Sequence, residues 1–166
     1  AEKAGLIASS DTTVVDRIPL NFAGREYLGK DDIAVLDVIA SNLWERPVYF
    51  AVTTRPEKFF GLDDYMQLEG LALRIVPVRT PSDPTYGIIG SGRVNTEAFY
   101  KNVMEKFRWG NFDKEKTFVD NAYLPSIQSM QLTMRRAAGE LLKENKSKEA
   151  IAIADKYFKA FPHVNF

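Results

Sequence analysis

Three carboxylates, Asp63, Asp64 and Glu69, form the best acidic grouping in the chain. Paired carboxylates carry out general acid–base chemistry when their surroundings push their pKa values apart. A helix cap with solvated loop charges accounts for the same residues, so no catalytic residue is assigned. Glu45 and Arg46 lie just before a strand-like run, and Arg74 lies within another. A buried guanidinium requires a carboxylate or an open sheet edge, so Glu45 and Arg46 read first as packing ion-pair residues, pairing with Arg74 and an acid from the loop. Trp44, Tyr49, Tyr65, Trp109 and Phe112 supply enough aromatic area to stack on a sugar, although core packing explains them equally. The candidate binding residues are therefore Trp44, Glu45, Arg46, Asp63, Asp64, Glu69 and Arg74.

Other patterns carry less. Gly24, Gly29 and Lys30 satisfy G-x-x-x-x-G-K, but Asp31 stands where a P-loop needs the Ser or Thr that holds magnesium. A plain strand–turn–helix connection fits better. Gly90-Ser91-Gly92 is a GxG without its third glycine, read as loop flexibility. Cysteine is absent and the only histidine is His163, next to Pro162 and read as a surface residue. Thiolate chemistry, imidazole-rich metal sites and a Ser-His-Asp triad are thereby disfavoured, and neither metal nor cofactor is expected. Asn145-Lys146-Ser147 fits a glycosylation acceptor, yet also serves as a turn between helices.

Lys+Arg and Asp+Glu balance at 22 each, so no global field draws the chain to nucleic acid or anionic lipid. No apolar run approaches the roughly 20 residues that span a bilayer, and no signal-peptide pattern is present. With 45% apolar and 27% charged residues, the composition is that of an ordinary globular domain. The initial Ala in place of Met suggests a mature product or an excised piece of something larger.

These residues need a frame. Residues 1–13 are small and polar and read as frayed. Residues 14–20 read as an edge strand, on account of Pro19. Asp31 or Asp32 caps a helix in which Ile33, Leu36, Ile39, Ala40 and Leu43 recur at helical spacing, with Val35 and Val38 widening the apolar face, so that helix reads as mostly buried. Pro47 ends it and forces Arg46 to extend into a strand over residues 48–52. Asp63 caps one short helical turn. A single second strand is predicted over residues 68–78, with Leu71, Leu73 and Ile75 on one face and Ala72, Arg74 and Val76 on the other. Residues 80–92, holding Pro81, Pro84 and three glycines, form a long loop. Asn95 or Thr96 caps the next helix, closed by Gly110 as its C′ residue.

From Leu124 onward Ile127, Met130, Met134, Ala137, Ala138 and Leu141 form an apolar stripe, and after a break at residues 144–147 Ala150, Ile151, Ala154, Tyr157, Phe158 and Phe161 form another. This is a helical hairpin. Ala138, Leu141, Ala150 and Pro162 make it similar to a tetratricopeptide repeat, with Ala154 and Tyr157 departing from that pattern. A single repeat does not bury its own faces, so it must dock on the body or continue into further repeats. The fold class is α+β: a small mixed sheet packed by helices, then a C-terminal tetratricopeptide-like hairpin. The division expected is an α/β body over residues 1–120 and a hairpin over 121–166.

Three ordered stretches carry a family resemblance. They are residues 37–51, around Ser41-Asn42-Leu43-Trp44-Glu45-Arg46-Pro47; residues 61–72, around Gly61-Leu62-Asp63-Asp64-Tyr65-Met66; and residues 92–96 with 107–111. They resemble the C-terminal extracytoplasmic part of a bacterial multi-pass membrane family of unknown function. That family is related to integral-membrane GT-C glycosyltransferases and to a vertebrate transmembrane protein O-mannosyltransferase. The resemblance implies a periplasmic domain of a membrane protein that transfers a sugar from a lipid-linked donor to protein acceptors. Its partners would be its own transmembrane region and acceptor proteins, with no nucleic acid and no insertion of this segment into the membrane. The catalytic acid of such enzymes lies between transmembrane helices, so none is carried over. The function expected is a non-catalytic accessory domain. The alternatives are a free-standing peptide or protein interaction module and, more remotely, a hydrolase using Asp63, Asp64 or Glu69.

Overall fold

The computed structural model describes residues 14–114 and 118–162, and the readings made for residues 1–13 and His163 lie outside them. The fold is α+β, as its sequence predicts. The chain forms two compact units: Ala1–Leu68 with Ala72–Arg93, and Glu69–Leu71 with Val94–Phe166. The division between them falls after Arg93.

The first unit holds helix α1 (Lys30–Asn42) and strands β1 (Tyr49–Ala51), β2 (Met66–Leu68) and β3 (Ala72–Ile75), with β4 (Arg93–Val94) at its boundary. The sheet order is β1-β3-β2-β4, and β3 runs antiparallel to both neighbours. Alternation works as expected in β3, where Leu73 and Ile75 are buried and Arg74 faces the other way. Phe50 and Phe59 meet edge-to-face with centroids 5.1 Å apart, and Leu62, Met66, Leu68, Val76 and Val78 complete the buried apolar set. On the polar face, the register places Arg74 between Tyr49 and Gln67. Its guanidinium lies 5.8 Å from the Tyr49 ring centroid, and Arg93 Nε donates to Gln67 Oε1 at 2.6 Å.

Several local expectations are corrected. The strand expected over 68–78 is two strands, because Gly70 at φ +114° breaks the run and lets β3 return along β2. The edge strand expected over 14–20 reduces to one bridge, Val14 with Val78, since Pro19 offers no N–H to a ladder. Asp63 does not cap its helical turn but begins it, Leu62 being the cap residue. Helix α1 is capped at Gly29, not at an aspartate; Asp32 accepts the Gly29 N–H from the first turn at 3.0 Å. That helix is largely exposed, with only Asp32 and Ile39 buried, because its apolar residues circle the axis and only one side is covered. It also stops at Asn42, before Pro47 has any influence. Trp44 adopts a left-handed φ of +73°, and the Asn42 carbonyl accepts the N–H groups of Glu45 and Arg46 at 3.0 and 2.8 Å.

The second unit holds α2 (Thr96–Lys101), α3 (Leu124–Lys143) and α4 (Ser147–Ala160). Asn95 caps α2 by accepting the Ala98 N–H at 3.0 Å. After α2 the chain widens into a π-turn over Asn102–Lys106 and leaves helical geometry at Phe107, so Gly110 is not the C′ residue expected but part of a separate left-handed turn with Asn111. Asn102 Nδ2 donates to the Glu69 carbonyl at 2.7 Å. The α3–α4 hairpin forms as expected and buries Met134, Ala137, Leu141, Ala150 and Ile153.

Glu144, in the turn between α3 and α4, accepts from the Thr96 hydroxyl at 2.9 Å and from Lys146 Nζ at 2.6 Å. Burial pushes its carboxyl pKa up, but these hydrogen bonds outweigh it and hold the group below its ordinary value of 4.5. A carboxylate with a depressed folded pKa adds stability above its unfolded pKa and loses it as pH falls through the folded one. Chemical denaturation from pH 6 down to pH 3 should therefore show a shallower acid loss in Glu144→Gln. The change should be under about 1 kcal/mol, because the pair is exposed to solvent.

Candidate functional site

The site begins with a turn that needs left-handed backbone. Phe60 (φ +52°) and Gly61 (φ +81°) reverse the chain after the short helix Pro56–Phe59. The segment around Asn21 lies directly against that turn, its N–H donating to the Phe60 carbonyl at 2.6 Å. A Cβ on Gly61 would stand 2.7 Å from the Asn21 Cβ, so glycine permits the approach. Phe22 tilts against the Phe60 ring at 5.9 Å, and the Arg25 guanidinium sits 4.7 Å from the centroid of the same ring. Arg25 also reaches Asp32 of α1 at 3.3 Å, and Lys58 Nζ bridges Asp31 and Asp32.

Two open depressions meet here, sharing Asn21 and Gly61. One, of about 560 Å³, runs past Leu20 and Tyr65 to Asp64 and Arg79. The other, of about 400 Å³, runs past Gly24 to Arg25, Glu57 and Phe60. Together they form a shallow groove with both charge signs at each end.

Asp64 fixes one end of the groove. Its Oδ1 accepts the Ser82 backbone N–H at 3.0 Å and the Ser82 hydroxyl at 3.1 Å; its Oδ2 accepts from Arg79 at 3.3 Å. Its carbonyl accepts the Thr80 N–H at 2.8 Å. Ser82 Oγ in turn accepts from the Gly92 N–H at 3.4 Å, and the Asp83 N–H closes the loop onto the Gly90 carbonyl at 2.9 Å. The flexibility read into Gly90-Ser91-Gly92 is corrected: a Cβ on Gly90 would collide with the Asp83 carbonyl and one on Gly92 with the Met66 carbonyl, so these glycines serve close packing. Burial holds the Asp63 carboxyl above the usual range, its own backbone N–H opposes that, and the charge of Asp64 adds to it.

The other candidates are dispersed. Glu45 and Arg46 are exposed in the turn after α1, and Trp44 is half-buried there. Arg74 lies at the centre of the sheet, while Glu69 belongs to the second unit, in the β2–β3 turn. Trp109 and Phe112 pack with Phe161 in an aromatic cluster. Asn21, Arg25, Phe60 and Arg79 went unread in the sequence; its one usable signal was Gly61 directly after two phenylalanines. Among the described residues no His, Asp and Glu grouping is arranged to hold a metal ion. Asp64→Ala is expected to lose about 1–3 kcal/mol of stability and to open residues 80–92 to limited proteolysis, because the loop donors lose their acceptor.

Fold and groove define a small α+β domain with an open, mixed-charge surface. The chain belongs to the TMEM260-associated domain 2 family, whose pattern it matches over residues 1–98. The match takes in the whole first unit and the start of α2. Membership is consistent with an accessory domain of a membrane-associated protein. Among the described residues no helix is long and apolar enough to cross a membrane. Searches of curated proteins and of solved structures each found no match.

Proposed function

We propose that this chain is a non-catalytic accessory domain of a polytopic, glycosyltransferase-like membrane protein of GT-C kinship, placed on the periplasmic side. It receives acceptor-protein segments for the membrane-embedded part of its own protein, and the groove around Asn21 and Gly61 is the surface that receives them. The observation carrying this reading is the family match over residues 1–98, which coincides with the unit that contains the groove. The groove chemistry supports it: Asp64 and Arg79 at one end and Arg25 and Glu57 at the other offer donors and acceptors to an extended backbone.

Deleting this domain from the intact membrane protein tests the reading. Glycan on acceptor proteins should fall sharply while the membrane part remains folded, and the isolated domain should transfer no sugar. Undiminished transfer after deletion, or transfer by the isolated domain, would overturn it. A free-standing interaction module is the second reading, favoured by the exposure of Ile33 and Val38 on α1. Acceptor binding by the isolated chain, undiminished when no membrane partner is present, would favour that reading.

A further inference from the structure

Helix α1 turns an apolar face to solvent, and the charges on that face follow a definite pattern. The helix carries four ionisable side chains, Lys30, Asp31, Asp32 and Asp37. Lys58 bridges Asp31 and Asp32, and Arg25 reaches Asp32 at 3.3 Å. Lys30 and Asp37 are exposed, and among the described residues neither has an ion-pair partner. They stand two turns apart, within about 20° of one line along the helix. Ala34 lies between them, with Ile33 and Val38, 57% and 52% exposed, on the two flanks. The buried residues Asp32 and Ile39 occupy the opposite side. Beyond the helix ends, Glu26 lies in the segment before it, and Glu45 and Arg46 stand together in the turn after it.

We propose that this face pairs with the same face of a second copy of the chain, the two α1 helices lying antiparallel about a two-fold axis. An axis passing beside Ile33 and Ala34 sets Lys30 of each copy opposite Asp37 of the partner subunit. Ile33 then packs across the smaller Ala34 of the partner subunit, and the exposed apolar surface of both helices is covered. The charges choose the occupant. A face of one sign calls for a partner of the other sign, whereas one cation and one anion at this spacing are complementary to the same face reversed. Parallel pairing would set like charge against like, so the charges also fix the direction. The contact uses one side of a helix of 13 residues, about 20 Å long. That is small beside the roughly 1,600 Å² of a standard interface, so the dimer is reversible and depends on concentration. The inference concerns α1 alone and does not depend on the groove.

Sedimentation velocity of the full chain from about 5 to about 500 μM measures the association, the upper limit sufficing to pair most of a ~100 μM dimer. The mass should rise from one chain towards two across this range. Lys30→Asp and Asp37→Lys, each alone, turn both opposite-charge contacts into like-charge ones and should weaken association at least about tenfold. The variant carrying both substitutions restores opposite charges across the axis and should return to within about threefold of the parent. An acid in the first turn and a base in the second half of the helix suit its dipole. Circular dichroism of all three variants should therefore match the parent. A single-chain mass at every concentration would overturn the proposal, as would unchanged association in both single variants. So would a folded double variant that associates no better than the single ones.

Discussion

Gly92→Ala should lower the stability of the chain by roughly 3 kcal/mol or more. Two costs combine at this position. Gly92 has φ +57°, which an L side chain adopts at about 1–2 kcal/mol. Its Cβ would also run into the Met66 carbonyl at the start of β2, and the obstacle is backbone, not the end of a flexible side chain. Relief requires β2 or residues 80–92 to move, and that movement pulls the Gly92 N–H from Ser82, and with it the Asp64 clamp. Gly24→Ala is the matched control. Gly24 has φ +78°, but a Cβ there meets nothing within 4 Å, so only the backbone cost of about 1 kcal/mol should appear. Urea denaturation of both variants separates conformation from collision. Equal losses would mean that close packing at Gly92 is not what holds the loop.

Phe161→Ala should cost about 3–5 kcal/mol, the range for truncating a buried aromatic. Phe161 is 3% exposed, and its ring meets Trp109 at 5.6 Å in a near-perpendicular contact, Tyr157 at 5.1 Å and Phe112 at 5.9 Å. Its neighbours Ile127 and Ala160 are buried with it. Truncation leaves a cavity that three rings line and none can fill without breaking its own edge-to-face contact. Thermal unfolding should shift downward, and Trp109 fluorescence should move to the red as water enters. Phe158→Ala, one turn position away and more than half exposed, should cost well under about 1 kcal/mol. The pair tests whether the hairpin carries its own core.

The apolar periods of α3 and α4 and the Asn95 cap of α2 were readable because each is a local pattern with a local cause. Alternation in β3 was readable for the same reason. The β2–β3 turn was not: Gly70 is one glycine inside an apolar run, and its meaning depends on a return strand that periodicity does not reveal. Helix α1 misled because apolar spacing states what a helix is able to bury, not whether anything arrives to cover it. Of the candidate site, Asp63 and Asp64 were visible as acids, but not that Asp64 grips Ser82, some eighteen residues further on. Asn21 and Arg25 were invisible, since their role arises only when the Phe60–Gly61 turn brings two distant segments together. Glycines 90 and 92 share one lesson. A glycine read as freedom was in each case the space that a neighbouring backbone or Cβ occupies.

The proposed role of the groove in receiving acceptor segments is tested most directly by removing the charge at one end of it. Arg79→Ala removes the cation at one end of the groove from a side chain 63% exposed to solvent, so the fold should hold and the melting temperature should stay close to the parent's. In the intact membrane protein, acceptor glycosylation should then fall about tenfold while the protein reaches the membrane in normal amount. Full glycosylation in that variant, with the domain folded and present, would contradict the role assigned to the groove.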